Sequence, residues 1–363
     1  MRRIVIALVV GGLGLGAAAA DWPVARGNPD QNGVSPESLP DPLVERWRFA
    51  TGDSIEAAPI VVRGVAYIAS QDGHLYAVSL GDGTQKWRFK APAPLKTSAG
   101  FSRGRVYVGD VDGNFFCLDA TSGMLIWKFV ADGEITSGAA FAEDRVLFGS
   151  GDESLYCLDS KGQKLWQFQV PGGPVLGTPS IQKGQTFISG CDSTLHVVDV
   201  SSGKEVRSIE IGGQTGAAPA WREGMLYLAT MSNTVVAVDL EKSTLAWTFE
   251  SGRGQPFYAS TAVTDRYVIA GGRDKRVYCL DRATGKRIWD FVTSGRIEGS
   301  PVVAGDRVYA GSLDGHLYVI DLKQGIERQR IKLDSAATSS LAVADGCVLI
   351  GTEKGTVYCF GKK

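Results

Sequence analysis

Apolar residues along this chain come in short alternating runs, each broken by Gly, Asp, Ser or Thr, and the whole pattern repeats. From Thr97 to Phe129 the runs are Thr97 to Ser102, Arg105 to Gly109, Asn114 to Leu118 and Met124 to Phe129. Alternation of this length predicts half-buried strands, and Asp112-Gly113 between the second and third predicts a tight hairpin. Anchoring the unit on Phe116 gives equivalents at Tyr76, Tyr156, His196, Val236, Tyr278, Tyr318 and Tyr358. Their spacing is 40 residues, except for 42 between Val236 and Tyr278. Four antiparallel strands in a unit of about 40 residues make a propeller blade. Helical repeats would need a 3.6-residue apolar period, which is missing, and β-helix repeats are much shorter. The chain is therefore expected to be all-β, an eight-bladed β-propeller of four-stranded antiparallel blades.

Details inside the repeat sharpen this expectation. Ser122-Gly123, Ser202-Gly203 and Thr284-Gly285 mark the turn before the outer strand, where Gly supplies the positive φ. Asp119, Asp159, Asp199, Asp239, Asp281 and Asp321 precede that turn, placed to accept backbone N–H groups and hold it. The eighth copy stops at Tyr358-Cys359-Phe360 without a fourth strand, and Val44 to Phe49 looks like the missing one. The N-terminal strand should complete the last blade and remove the exposed sheet edges. One position is small in every copy: Ala69, Gly109, Gly149, Ser189, Ala229, Gly271, Gly311 and Gly351. Another is aromatic in most: Trp47, Trp87, Trp127, Trp166, Trp247 and Trp289, with Val206 in the fourth copy and, approximately, Arg328 in the seventh. Small against large suggests that each indole docks on exposed backbone of a neighbouring unit at the small position, its N–H satisfied there. The fourth and seventh seams, lacking the indole, should be the weaker ones.

The N-terminus changes the picture of where the chain works. Arg2 and Arg3, the apolar run Ile4 to Gly16, and Ala18-Ala19-Ala20 before Asp21 read as a cleavable secretory signal. The expected division is residues 1–20 signal, 21–43 lead-in and 44–363 propeller. The apolar run is short for a bilayer span, and no second one follows. No Cys precedes Cys117, so a lipid anchor has no attachment residue. The expected location is periplasmic or secreted. The chain has 38 basic against 39 acidic residues without a basic cluster, which argues against a nucleic-acid partner. Six cysteines in an exported chain raise the question of disulfides. Cys117, Cys157, Cys279 and Cys359 share one strand position on separate blades, too far apart to bridge. They read as buried small hydrophobes, and Cys191 and Cys347 fall on different blades. No CxxC or Cys/His cluster suggests a metal.

The run Asp119-Ala-Thr-Ser-Gly-Met-Leu-Ile-Trp127, repeated as Asp281-Arg-Ala-Thr-Gly-Lys-Arg-Ile-Trp289, resembles the repeat of the pyrrolo-quinoline-quinone (PQQ)-type propellers. The resemblance covers residues 44 to 363, and Trp22-Pro23, Arg26-Gly27-Asn28 and Gly33 resemble the segment preceding many such propellers. It implies the propeller fold and Trp docking between blades. It leaves two functional branches: quinoprotein dehydrogenases, which hold the quinone with calcium at the axis, and the BamB-like scaffolds of outer-membrane protein assembly. The dehydrogenases are longer and many carry adjacent cysteines, which this chain lacks. BamB is lipid-anchored, which this signal is not.

Candidate binding residues lie where the innermost strands begin. One position there varies as Glu56, Lys96, Thr136, Leu176, Gly216, Tyr258, Glu298 and Thr338, with Glu298, Glu56 and Lys96 on one side of the channel. The loop Ser251 to Tyr258 holds the extra two residues of the long repeat and presents Arg253, Phe257 and Tyr258, residue types common at interfaces. The expected function is a monomeric, non-catalytic scaffold that binds protein partners in the cell envelope, with no cofactor. The alternatives are a PQQ- and calcium-binding redox protein, and a glycan or peptide binder at the axial mouth.

Overall fold

A computed structural model describes residues 21–362. The signal reading of residues 1–20 lies outside them. The described residues form eight four-stranded antiparallel sheets, one per repeat, and no helix. In the second blade the strands run Gly100–Ser102, Arg105–Gly109, Asn114–Asp119 and Leu125–Val130 from axis to rim. The two middle strands are the most buried because both of their faces meet neighbouring blades, so they read as near-continuous apolar runs.

Ring closure is as expected. Val44–Ala50 pairs antiparallel with Thr356–Gly361, setting Trp47 opposite Cys359 and Arg48 opposite Tyr358. Blades meet through a knob that precedes each mouth residue: Ile55, Leu95, Ile135, Val175, Thr215, Phe257, Ile297 and Ala337. Every knob donates its N–H to a carbonyl of the preceding blade at 3.1–3.3 Å, as Ile135 does to Asp110 and Phe257 to Thr230. Their side chains, not the indoles, fill the small positions. A Cβ on Gly109 would lie 2.3 Å from Ile135, and one on Gly351 2.4 Å from Ile55.

The indoles dock elsewhere, correcting the expected partner. Each packs on the turn glycine of the next blade and donates Nε1–H to a carbonyl beside it. Trp47 reaches Leu80 O at 2.8 Å, Trp87 Ala120 O at 3.0 Å, Trp127 Ser160 O at 3.1 Å and Trp166 Val200 O at 3.0 Å. Trp247 reaches Arg282 O at 2.9 Å and Trp289 Leu322 O at 3.0 Å. A Cβ on Gly83, Gly123, Gly162, Gly203, Gly285 or Gly325 would come within 2.6–2.9 Å of the ring, so these positions need Gly for contact as well as for positive φ.

A β-bulge just before each Trp shifts the register by one. By register, the Trp equivalents in the fourth and seventh blades are Arg207, opposite Val197, and Gln329, opposite Val319. Val206 instead is exposed, and Arg328 bonds Asp321 at 2.5 Å.

The lead-in is a structural part of the ring. Residues 22–35 wind beneath the axis and bond one innermost strand after another. Trp22 exchanges bonds with Val61, and Pro23 O accepts from Phe101. Pro29 O then accepts from Ile181, Asp30 O from Trp221, Asn32 O from Val263 and Gly33 O from Val303, at 2.6–3.0 Å. Val34–Ser35 adds a parallel strand to Val302–Ala304. The axial channel is thus a cup, floored by the lead-in and open at the opposite face.

Candidate functional site: the axial cup

The innermost strands carry small residues because eight of them converge on one axis. Glu56, Lys96, Tyr258 and Glu298 all line the single cavity they enclose, about 230 Å3 in volume. Glu56 and Lys96 are exposed at its mouth and pair with no opposite charge among the described residues. Glu298 is half-buried, bonded by Arg273 Nε at 2.7 Å. That guanidinium also lies over the Tyr258 ring, 4.0 Å from its centroid. The rim of blades six and seven is thus a preformed aromatic–cation–carboxylate cluster, in which Arg273 went unnoticed in the sequence because it sits in a hairpin of the repeat.

The long loop divides. Arg253 is exposed, its Nε 3.9 Å from Asp274 Oδ2. Phe257 is fully buried, packed edge-on against Tyr278 with centroids 5.8 Å apart. It belongs to the series of blade knobs, so it holds the seam between blades five and six and is not presented at the surface.

The cup wall is a ring of hydroxyls. The backbone N–H of Ala58 donates to Ser98 Oγ, of Gly138 to Thr178 Oγ1, of Ala218 to Ser260 Oγ, of Ser260 to Ser300 Oγ and of Ser300 to Ser340 Oγ, at 2.9–3.1 Å. Each bond crosses a blade boundary. The floor is Arg26, whose guanidinium donates to Ser300 O (3.3 Å), Thr261 O (3.2 Å) and Pro301 O (2.7 Å). Burial without a carboxylate partner lowers its pKa to about 9. Gly33, at φ +65°, leaves room for this guanidinium, and Gly27, at φ +88°, for Trp22. The lead-in residues that carried the family resemblance are those that build the floor.

The cup does not suit a quinone with calcium. Calcium takes six to eight oxygen ligands, whereas Glu298 is committed to Arg273 and no group of three His, Cys, Asp or Glu converges among the described residues. Among the described residues no indole lines the cup for a flat ring to stack on.

All six cysteines are free thiols in the described residues. Cys347 has a neighbour the repeat alignment did not reveal: Cys359 on the adjacent strand of the same blade. The Cys359 thiol and the Arg46 guanidinium, whose Nη1 lies 2.8 Å from Cys347 Sγ, hold the Cys347 thiol below its ordinary value. Burial instead pushes Cys117 up to about 11 and Cys157 to about 12.

Comparison with known proteins adds three findings. The family model described as "Outer membrane protein assembly factor BamB" matches residues 44–101, 91–191 and 162–363. Among solved structures, BamB from Moraxella catarrhalis superposes with a TM-score of 0.77 at 20% identity, over 88% of this chain and 98% of that one. A quinohemoprotein alcohol dehydrogenase from Comamonas testosteroni gives 0.80 at 14% identity, over 95% and 81%. A europium-containing methanol dehydrogenase gives 0.79 at 14%, over 94% and 98%. At these identities the superpositions speak for the fold alone. Among curated proteins, the "Beta-alanine-activating enzyme" of Danio rerio is 30% identical over 111 residues, 29% of this chain and only 10% of that enzyme.

Proposed function

The chain belongs to the family of the outer membrane protein assembly factor BamB, and from that premise we propose that it is a non-catalytic scaffold that binds protein partners in the bacterial cell envelope. The observation that carries this reading is the extent of the family match, which runs from the closing strand to the end of the last blade. The described chain beyond that match, residues 21–43, is spent on the floor and the approach to the closing strand. The recognition surface is the face bearing the cup mouth, where Glu56, Lys96 and Arg253 are exposed beside the Arg273–Tyr258–Glu298 cluster. Rim charges of this kind set association rate and partner choice more than raw affinity. Export, expected from the N-terminal sequence, would bring the chain to the compartment where such partners fold. No helix among the described residues is long and apolar enough to cross a membrane.

The test is recovery of envelope proteins on the wild-type chain and on the triple variant Glu56→Lys, Lys96→Glu, Arg253→Glu. A partner held by the wild type and lost from the folded variant supports the reading. Titration of the purified chain with PQQ and calcium, followed by dye-linked oxidation of an alcohol or sugar, would overturn it in favour of the redox branch.

A further inference from the structure

Below the carboxylates at its mouth, the wall of the cup is rich in donors. Ser98, Thr178, Ser260, Ser300 and Ser340 each accept a backbone N–H, which uses an oxygen lone pair and leaves the hydroxyl proton to be given away. None of these protons reaches an acceptor among the described residues, and all five side chains line the cavity. Directly beneath lies Arg26, 2% exposed, lining the same cavity and with no carboxylate partner among the described residues. Ser300 ties the two layers together, its hydroxyl in the ring and its carbonyl on Arg26. A buried cation without a counter-charge is costly, and so is a buried donor without an acceptor. The cavity of about 230 Å3 far exceeds the roughly 10–15 Å3 that one water requires.

We propose that the axial cup is a binding site for a small oxyanion, a carboxylate or phosphate group, held by Arg26 from below and by the hydroxyl ring around it. The anion supplies both missing elements at once, negative charge for the guanidinium and lone pairs for the hydroxyls. Glu56 and Glu298 at the mouth oppose large polyanions and favour a ligand small enough to pass them, while Lys96 assists entry. This site is independent of the scaffold reading, since partner binding at the rim does not require it.

The test uses the mature chain at fixed ionic strength, titrated with inorganic phosphate and, separately, acetate by calorimetry, with 31P line-broadening as a second readout for phosphate. One-to-one binding at millimolar or lower concentration is expected, and the preferred arm identifies the group. Arg26→Gln should weaken it at least tenfold, as loss of a charge-assisted contact does. Because that variant also loses floor contacts, Gly216→Glu provides a second test. A Cβ there meets only ordinary contacts, 3.6 Å from Leu176, and the new carboxylate would stand in the mouth without touching Arg26. It should weaken binding while leaving the fold intact. Failure of both anions to bind the wild type, or equal binding by the folded variants, would overturn the proposal.

Discussion

At the scale of single residues, the repeat is held by groups whose chemistry is readable but whose partners are not. The turn aspartates behave as their position predicts: Asp119 Oδ1 accepts the N–H groups of Thr121 and Ser122, and Asp281 Oδ1 that of Thr284. Asp199 is held furthest from its ordinary value. The Ser201 and Ser202 hydroxyls and the Ser202 N–H lower its pKa from 3.8 to about 2. In the unfolded chain this carboxylate protonates first as pH falls, so its contribution to stability is complete above about 3.8 and fades through about 2. The stability difference between wild type and Asp199→Ala, measured by urea denaturation, should be flat near neutrality and shrink across that acid window. A difference that stays constant down to pH 2 would show that the hydroxyl bonds do not favour the charged form. The tryptophans were legible as docking groups, but their seat was not. The alignment offered one conspicuous small position, and the seat is the turn Gly, which the sequence already explains by its positive φ.

At the scale of the strand, the third copy's turn is one residue shorter, Asp159 to Trp166 against Asp119 to Trp127, so counting on from Trp166 gave Val206 in place of Arg207, and Arg328 stood in for its neighbour Gln329. The true replacements preserve the seam by polar means. Arg207 donates to Leu240 O, the carbonyl an indole would use, and to Ser243 Oγ at 3.1 Å. Ser243 occupies the place of the turn Gly, at φ +57°. Where the ring is missing, the glycine that seats it is missing too. Gln329 faces the eighth blade, which has no such turn because its outer strand comes from the other end of the chain. It bonds the backbone of Leu43 instead, at 2.8 and 2.9 Å. The fourth seam is therefore a lock and key changed together. Arg207→Trp alone should destabilise, because the Ser243 Cβ would stand where the ring docks, as a Cβ on Gly203 would lie 2.6 Å from Trp166. Adding Ser243→Gly should restore most of the loss. A double-mutant cycle by chemical denaturation is expected to return a favourable coupling of about 1–3 kcal/mol, whereas additive effects would mean that the turn does not seat the ring.

At the scale of the whole molecule, periodicity made the ring legible, since each copy votes for the same strands and a missing fourth strand points to its replacement. The mouth of the cup was legible for the converse reason: Glu56, Lys96, Tyr258 and Glu298 vary where the rest of the copy is constant. Phe257 was misread as a surface anchor because the extra residues beside it drew attention away from its place among the knobs Ile55, Ile135 and Ile297. The floor had no repeat to betray it. Residues 22–35 occur once, and their backbone partners lie up to 270 residues away in sequence, Gly33 with Val303, so only the folded ring brings them together. That segment does two jobs in succession, closing the channel and then delivering Val44–Ala50 to the eighth blade. The two can be separated by deleting residues 21–35 while keeping the closing strand. The ring should still close, because the pairing with Thr356–Gly361 is untouched. The amides of Phe101, Ile181, Trp221, Val263 and Val303, whose acceptors all lie in the lead-in, should lose their protection from hydrogen exchange. The knob amides of Ile135 and Ile297, bonded between blades, should keep theirs. If both sets lost protection together, the lead-in would be part of the cooperative unit that holds the blades in a ring and not merely a floor laid beneath it.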